Sequence, residues 1–324
     1  MKTRFTFSLL LAFWSLECRA DTVDSIKQRG YLKCGVSQGL PGFSTADKEG
    51  RWFGIDVDFC RAVAAAVLGD QSKVKYTPLS AKERFTALQS GEIDVLSRNT
   101  SYTLQRDAAM GIDFVGVVYY DGQGFMVHKK LGVTSAAQLI NASICIQLGT
   151  TTELNVADFF RSQKIKYKLI TFEKNDEVVA AYDSGRCDAV STDQSGLYAD
   201  RTKLKHPLDN VILPEKISKE PLGPAVRHGD NRFGDIVRWT LYTLFEGEEL
   251  GVTSQNIKEM EASTKPGIRR VLGLEGEAGK NLGLDAQFAK RILEQVGNYG
   301  EIFDRNLGQG SPLKIERGLN ALWN

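Results

Sequence analysis

The sequence predicts an α/β protein made of two similar units, each a mainly parallel sheet flanked by helices. Short strands alternate with helical segments between residues 31 and 96, and the same order begins again at residue 144. This alternation is typical of parallel sheets covered by helices on both faces. In both units strands end in polar residues, and ligands of such sheets bind beyond the carboxyl ends of the strands.

The first unit contains five predicted elements. Tyr31–Ser37, Val74–Pro78 and Ile93–Leu96 are predicted strands, because each is short, apolar or alternating in polarity, and bounded by turn residues. Phe59–Leu68 is rich in alanine and Lys82–Gln89 is rich in helix-forming residues, so both are predicted helices. A Gly/Pro loop at residues 39–43 separates the first strand from the first helix.

The strand that ends at Leu96 leads into polar residues, 97–103, and then into a charged helix start around Arg106. A second β-rich run follows at Phe114–Tyr120. Hydroxyls, an amide and an arginine after a strand can hold a carboxylate, because the guanidinium fork matches its two oxygens. The alternative is that Arg106 lies on a solvated helix face.

The second unit repeats the arrangement of strand, polar turn and helix. Its predicted strands and helices are Ile144–Leu148, a helix through Phe160, Lys166–Phe172, Glu177–Ser184 and Ala189–Asp193. Thr150 and Thr151, after Gly149, can offer hydroxyls and N–H groups to an anion at the start of a helix. Asp193 can supply the opposite charge. For both places the alternative is an ordinary helix cap.

Residues 1–20 have the pattern of a secretory signal peptide, with a basic start and an apolar run from Phe5 to Leu16. Cleavage is expected near Ala20. The apolar run is too short to span a membrane. Cys18 leaves lipid attachment open as an alternative, although Glu17 stands where that motif requires a small residue. The mature protein is therefore expected to be exported.

Four cysteines remain after export, two early (Cys34, Cys60) and two late (Cys145, Cys187). An even number in an oxidising compartment predicts two disulfides, for which three pairings are possible. Pairing within each group keeps each bond inside one unit, so Cys34–Cys60 and Cys145–Cys187 are expected. Each could add about 3–4 kcal/mol by chain entropy. No cysteine or histidine spacing indicates a metal site.

The charge balance gives no support for a nucleic-acid partner. The chain carries 41 Lys and Arg residues against 40 Asp and Glu, and no basic block is interleaved with aromatics. A chain of 324 residues exceeds one typical core, which predicts two domains. An arginine on one side and an aspartate with Gly-Thr-Thr on the other would suit a zwitterion between them.

An ordered set of motifs resembles the periplasmic solute-binding proteins of polar amino-acid ABC transporters. Within that family the chain is most similar to the general L-amino-acid-binding proteins, along residues 80–85, 119–124 and the tail 310–323. The residues that carry the family resemblance are 53–58, 87–94, Arg106, 149–151, 185–188 and Asp193.

The resemblance implies a periplasmic protein with the type II fold, in which two lobes joined by a two-strand hinge close around the ligand. Lobe 1 would comprise 21–121 plus 222–324, with a C-terminal extension from about residue 265, and lobe 2 would comprise 122–221. The crossings would be 120–124 and 220–224, which contain residues that can absorb backbone rotation. The implied partners are an L-amino acid and membrane permease subunits. The protein is expected to be a monomer without a cofactor.

The resemblance also implies residue roles. Arg106 would hold the α-carboxylate and Asp193 the α-ammonium. Those that assist would be Thr150, Thr151, the main chain near Asn99 and Ser101, and Phe43, which would pack on the ligand side chain.

Specificity is expected to be broad. Ala81 occupies a position where relatives often carry an aromatic residue, and Ser37 and Gln38 stand where acid-selective relatives carry an arginine. The predicted pocket is therefore roomy and suits several polar amino acids. The alternative is a preference for glutamate, glutamine or aspartate, to which three basic residues could contribute: Lys82, Arg84 and Arg98.

The competing class is an exported dehydratase on the same fold. That chemistry needs a general acid with a raised pKa, for which Glu173 and Asp193 are the candidates. Glu173 lies in a lysine-rich segment, and no hydrolase, metalloprotease or phosphate-loop motif is present. A sensor ectodomain would require membrane helices that the sequence does not show. The sequence therefore favours a binding protein without a catalytic role.

Overall fold

The computed structural model describes residues 21–322. The expectations about the signal peptide, Cys18 and the last residues of the tail motif lie outside this range. The strands are β1 (Leu32–Ser37), β2 (Thr45–Ala46), β3 (Trp52–Phe53), β4 (Val74–Leu79), β5 (Val95–Leu96), β6 (Ile112–Phe114), β7 (Tyr119–Asp121), β8 (Gln123–His128), β9 (Ser143–Gln147), β10 (Lys168–Phe172), β11 (Ala189–Asp193), β12 (Asn210–Ile212), β13 (Glu220–Leu222) and β14 (Ala225–Arg227).

The helices surround these strands. They are α1 (Thr22–Arg29), α2 (Ile55–Leu68), α3 (Arg84–Ser90), α4 (Leu104–Ala109), α5 (Thr152–Ser162), α6 (Asn175–Asp183), α7 (Gln194–Arg201), α8 (Asn231–Glu249), α9 (Ile257–Met260), α10 (Pro266–Val271), α11 (Ala278–Asn281), α12 (Phe288–Val296) and α13 (Tyr299–Asn306). In the part of the chain that the structure describes, none of them has the length and apolar composition needed to cross a bilayer.

Two five-stranded sheets form the framework, in the orders β4-β1-β5-β14-β6 and β10-β9-β11-β8-β12. Three neighbouring strands at one edge of each sheet run parallel, as predicted. One strand in each sheet, β14 or β8, is antiparallel to both of its neighbours. The sheets are therefore mixed. β8 and β14 directly follow β7 and β13, the two segments in which the chain passes from one sheet to the other.

A short ribbon, β7 paired antiparallel with β13, joins the two sheets. The predicted β-run at 114–120 is divided, since β6 belongs to the first sheet and β7 to this ribbon. Gly116 makes the break at φ 153°, a backbone conformation that favours glycine. A Cβ at Gly223 would lie 2.0 Å from the Gly116 carbonyl oxygen, so both glycines are needed where the strands come together.

Helix α2 begins at Ile55, four residues earlier than predicted. Asp56 and Asp58 interrupt the apolar pattern, but both are buried with polar partners. Asp58 accepts hydrogen bonds from Arg61 at 2.8 Å and from Arg305 at 2.9 Å. Acidic residues in a first turn also interact favourably with the helix dipole.

The chain after residue 265 packs on the first sheet's side of the molecule. Helix α12 contacts α2 and α8, and Ile292 and Leu293 are fully buried in the same core. Beyond α13, the side chain of Asn320 binds the main chain of Tyr120 in the ribbon. Its Oδ1 accepts the Tyr120 N–H at 2.7 Å, and its Nδ2 donates to the Tyr120 carbonyl at 3.1 Å. The extension thus touches the segment that joins the two sheets.

Both expected cysteine pairings are present. Cys34 in β1 is bonded to Cys60 in α2, and Cys145 in β9 is bonded to Cys187 just before β11. Each bond fastens a helix or loop to the sheet of its own unit.

Candidate functional site

A cavity of about 270 Å³ lies where the strands of both sheets end. Its walls come from the residues that follow β1, β5, β9, β10 and β11, as expected for ligand sites in parallel sheets. Helices α4 and α7 complete it. The lining residues are Ser37, Gln38, Gly39, Leu40, Arg84, Arg98, Asn99, Ser101, Arg106, Gln147, Thr150, Thr151, Thr152, Lys174, Asn175, Asp176, Thr192, Asp193, Gly196 and Asp200.

Arg106 lies in α4 and points into this cavity rather than onto a solvated face. Its side chain belongs to a residue only 7% exposed, and Nη1 donates to the Ser101 carbonyl oxygen at 2.9 Å. The Thr103 hydroxyl caps the helix by accepting the Arg106 N–H at 3.3 Å. Burial lowers the pKa of Arg106, and the carboxylates of Glu220 and Asp193 oppose that shift. A buried, fixed guanidinium is thus available to an anion.

Two further arginines stand beside it. Arg84 donates from Nη1 to the Thr100 hydroxyl at 3.2 Å and from Nη2 across the cavity to the Gly149 carbonyl at 3.1 Å. Burial lowers the pKa of Arg84 well below its usual value, and the charges of Arg98 and Arg106 add to that effect. Burial also lowers the pKa of Arg98 to about 10, against the opposing charge of Asp56. Three arginines, Arg84, Arg98 and Arg106, therefore line this cavity.

Phe85 supports two of these cations. The guanidinium carbons of Arg84 and Arg106 lie 4.8 Å and 5.4 Å from its ring centroid. Cation–π attraction of this kind stabilises charges that would otherwise repel each other.

Asp193 ends β11 and precedes α7, but its carboxylate does not cap that helix. Asp121, from the ribbon, performs the capping: its Oδ2 accepts the Ser195 N–H at 3.2 Å and the Ser195 hydroxyl. Asp193 is 8% exposed and lines the cavity. Burial, followed by the nearby Asp121 and Glu220 carboxylates, raises the pKa of Asp193. A cation in the cavity would favour the ionised form of Asp193 and so oppose the effects of burial and of the two neighbouring carboxylates.

The hydroxyls of Thr150 and Thr151 are already engaged. Thr150 donates to the Gln147 carbonyl at 2.8 Å, and Thr151 donates to the Glu220 carboxylate at 3.0 Å. Their protons are therefore unavailable to an anion. Any donation from this turn to an anion has to come from main-chain N–H groups at the start of α5.

Three buried polar atoms in the cavity wall have no hydrogen-bond partner among residues 21–322. They are Nε of Arg84, Oδ1 of Asn99 and Oδ2 of Asp200. Buried polar groups are normally paired, because leaving one unpaired costs about 1–3 kcal/mol. The two acceptors and one donor indicate that the wall is built to meet a polar solute.

Three expected site residues lie elsewhere. Phe43 is 1% exposed, packs edge-on against Tyr119 in the core and is outside the cavity lining, so its contact with a ligand side chain stays a prediction. Ala81 is buried outside the lining, and Lys82 faces solvent, where its Nζ lies 3.5 Å from Glu173. The loop aromatic fills the core because a Gly/Pro turn can direct it inward as readily as outward.

Part of the cavity wall was not predicted from the sequence, namely Lys174, Asn175, Asp176, Gly196 and Asp200. A signal for part of it was available. Gly196 and Asp200 follow Asp193 by three and seven residues, which places them on the same face of a helix.

Comparison with known proteins identifies the family. The family model of bacterial extracellular solute-binding proteins, family 3, matches residues 32–256. The chain belongs to this family. The solute-binding protein is 58% identical to the general L-amino acid-binding periplasmic protein AapJ of Rhizobium johnstonii, over 97% of its own length and 93% of that relative's. It is 54% identical to the glutamate/glutamine/aspartate/asparagine-binding protein BztA of Rhodobacter capsulatus, over 94% and 90% of the two chains.

Solved structures agree with the fold. An ABC transporter periplasmic binding protein from Brucella ovis with glutathione bound matches with a TM-score of 0.93 and 58% identity, over 94% of this chain and 96% of that one. A cysteine-binding protein from Campylobacter jejuni matches with a TM-score of 0.62 and 28% identity, over 74% and 92% of the two chains. These matches confirm the type II periplasmic binding protein fold.

Membership of this family also decides between a binding protein and an enzyme. Its members bind solutes outside the cytoplasm, and the high-identity relatives are transport proteins rather than dehydratases. Glu173, one candidate acid for dehydration, is exposed to solvent. The solute-binding protein is therefore extracytoplasmic and acts by binding.

Proposed function

We propose that this protein is the periplasmic binding component of an ABC transporter for L-amino acids. One observation carries the proposal: a buried guanidinium, Arg106, and a buried carboxyl, Asp193, line the same small cavity. This pair of charges complements the α-carboxylate and α-ammonium that all amino acids share. The names of the relatives, which include general and glutamate-type amino-acid binders, support this assignment.

Arg106 pairs with the α-carboxylate in this proposal, and the unpaired Nε of Arg84 and main-chain N–H groups after Gly149 assist. Asp193 accepts from the α-ammonium. Asn99 Oδ1, also unpaired, provides a further acceptor. Each contact replaces one that the ligand loses when it leaves water, so the closed cavity binds the zwitterion without unpaired charge.

The cavity supports a small polar ligand. Its volume of about 270 Å³ is at the lower edge of ligand pockets, which range over roughly 300–1,000 Å³. Phe43, Ala81 and Lys82 are outside the wall, and none of the described residues that line the cavity is aromatic, so the space beside the ligand is not restricted by a ring. We propose acceptance of several polar amino acids, with glutamine, glutamate and aspartate as the narrower alternative. Glutathione, seen in the Brucella ovis structure, is a competitor worth testing.

Two contacts that cross the cavity support the proposal that the protein closes around its ligand. Lobe 1 (21–121 plus 222–324) and lobe 2 (122–221) are the proposed moving bodies, with the ribbon as their hinge. Arg84 reaches Gly149 at 3.1 Å and Lys203 reaches the Gly39 carbonyl at 2.6 Å. A ligand held by both lobes favours this closed arrangement, which the permease then recognises. The exported protein acts as a monomer, with its signal peptide cleaved near Ala20.

Thermal-shift screening tests the proposal. Protein stripped of ligand by unfolding and refolding would be screened against all twenty amino acids and glutathione. A ligand at 100 times its Kd should stabilise the fold by about 2.7 kcal/mol, with a corresponding rise in Tm. If no amino acid raises the Tm, the amino-acid assignment fails; if only glutathione does, the ligand class changes.

A further inference from the structure

Asp200 lines the cavity beyond Asp193 along α7. It is on the same face of α7 as Gly196, one and two turns beyond Asp193, and glycine leaves the wall between the two aspartates open. Asp200 is 1% exposed, and its Oδ2 has no partner among the described residues. An unpaired, buried acceptor in a cavity wall requires a donor.

The other carboxylate oxygen is fixed in place. Asn175 Nδ2 donates to Asp200 Oδ1 at 2.8 Å, and Lys203 Nζ lies 3.8 Å from that oxygen. Lys203 also reaches Asp176 at 3.1 Å and the Gly39 carbonyl at 2.6 Å. The position of Oδ1 is thus set by neighbours on lobe 2, while Oδ2 has no hydrogen-bond partner among the described residues and belongs to a residue that lines the cavity.

We propose that Asp200 determines side-chain specificity by accepting a hydrogen bond from a side-chain carboxamide of the ligand. The inference rests on the proposed function, because it places the α-ammonium at Asp193. Asp200 lies about two turns along α7 from Asp193, a rise of roughly 10 Å. A ligand that bridges the two carboxyl groups needs a hydrogen-bond donor at each end. Asparagine and glutamine have both donors, in the α-ammonium and the side-chain carboxamide.

Charge favours the neutral amide over the two alternatives. A side-chain carboxylate would face the unpaired Asp200 oxygen with no proton to donate. A full cation would meet Lys203, which already offsets part of the Asp200 charge. Lys174 also lines this end, but it is exposed to solvent, so its charge is screened and attracts a carboxylate only weakly. The unpaired acceptor therefore disfavours a side-chain carboxylate at Asp200, even though Arg84 and Arg98 also line the cavity.

Calorimetry on the wild-type protein tests this with glutamine and its methyl ketone analogue, in which CH3 replaces the side-chain NH2. The two ligands differ in one donor group. Because the analogue leaves a buried carboxylate unpaired, glutamine should bind at least tenfold more tightly. Asp200→Asn keeps the side-chain shape but replaces one acceptor oxygen with an NH2 donor. The ratio of glutamine affinity to ketone affinity should therefore fall to within threefold, and glutamate should bind better relative to glutamine. Asp209→Asn, an exposed residue of the same lobe, should leave the ratio unchanged.

Each outcome decides one of the two proposals. Equal binding of glutamine and the ketone by wild-type protein overturns the role of Asp200 while amino-acid binding stands. Binding of other amino acids without glutamine does the same. A glutamine-to-ketone ratio that survives Asp200→Asn also overturns it. Failure to bind any amino acid instead removes the proposed function. The wild-type comparison remains decisive if Asp200→Asn does not fold.

Discussion

Arg106 and Asp193 mark the part of the cavity that every amino acid should occupy in the same way. If Arg106 pairs with the α-carboxylate, Arg106→Ala leaves a buried anion unpaired, which typically costs about 2–5 kcal/mol. Since each ~1.4 kcal/mol is tenfold, affinity should fall roughly 30-fold to several thousand-fold for all accepted amino acids. Arg106→Lys should recover little, because an ammonium cannot make the forked contact.

The control for this measurement is Arg161→Ala, since Arg161 is an exposed arginine of lobe 2. Isothermal calorimetry should show wild-type affinity for that variant. A loss within threefold for Arg106→Ala, across all ligands, would return Arg106 to a structural role and remove the main support for an amino-acid site.

The buried carboxyl of Asp56 predicts a pH dependence of the free energy of unfolding, which can be measured without ligand. Its carboxyl accepts from the Asn99 N–H at 3.0 Å, and burial raises its pKa from 3.8 to about 7. The folded protein thus holds this proton between about pH 4 and 7, while the unfolded chain has lost it. The contribution of Asp56 to stability is therefore greatest below pH 4 and declines as the pH rises to about 7, by roughly 4 kcal/mol.

Asp56→Asn should remove that decline and retain an acceptor for Asn99. Denaturant unfolding of stripped protein at pH 5 and pH 7.5 would show a smaller loss of stability in the variant than in wild type. Equal losses in the two proteins would mean that Asp56 is already ionised in the fold.

The role of a single residue could be predicted from the sequence where the residue follows a predicted strand, but not where it lies in a loop or a helix. Arg106 and Asp193 follow strands in a repeated pattern, and the structure places both in the cavity. Asp200 was not predicted as a site residue, and Phe43 lies outside the cavity, where a ligand contact was expected. The position of Asp200 in a helix and of Phe43 in a loop does not show which way each side chain faces. That direction is set by distant packing, such as Tyr119 against Phe43, which no local pattern contains.

Secondary-structure elements were more predictable than their edges. Strands β1, β9 and β11 were predicted to within one residue, since apolar patterning reports burial directly. The start of α2 was missed because Asp56 and Asp58 are buried with partners far along the chain, among them Arg305. The elements after residue 230 were not assigned, and they include α8 and α12 of the main core.

Helix α12 provides a prediction for this unassigned region. Leu293 is fully buried, and a Cβ added at Gly247 of α8 would lie 2.5 Å from its Cδ2, so the two helices pack closely there. Leu293→Ala should destabilise the protein by about 2–5 kcal/mol through lost burial and the resulting cavity. Denaturant unfolding measures this, with the exposed Leu154→Ala as control. If the extension contributed nothing to the fold, both variants would unfold like wild type.

At the scale of the whole molecule, ligand should shift the protein toward the closed form. In the proposed two-lobe arrangement only that form lets both lobes contact the ligand, since Arg106 follows a strand of the first sheet and Asp193 ends a strand of the second. Small-angle scattering of stripped protein should show a smaller radius of gyration when a saturating amino acid is added. An unchanged radius would indicate that the two sheets do not move against each other.

The hinge itself can be examined through Asn320. Its side chain is the acceptor for the Tyr120 N–H, so Asn320→Ala should expose that amide and speed hydrogen–deuterium exchange across residues 119–121 severalfold. Strand β9, which lies far from the tail, should exchange as in wild type. Unchanged exchange in the ribbon would mean that its own pairing with β13 protects it fully.

The contact between the tail and the ribbon also makes the protein a candidate for an optical sensor. Leu319, next to Asn320, is 82% exposed, so a fluorescent dye could be attached there without disturbing packing. The dye would sit beside the ribbon that we propose as the hinge, yet outside the cavity. Its emission would then report the amino-acid concentration while leaving every ligand contact intact.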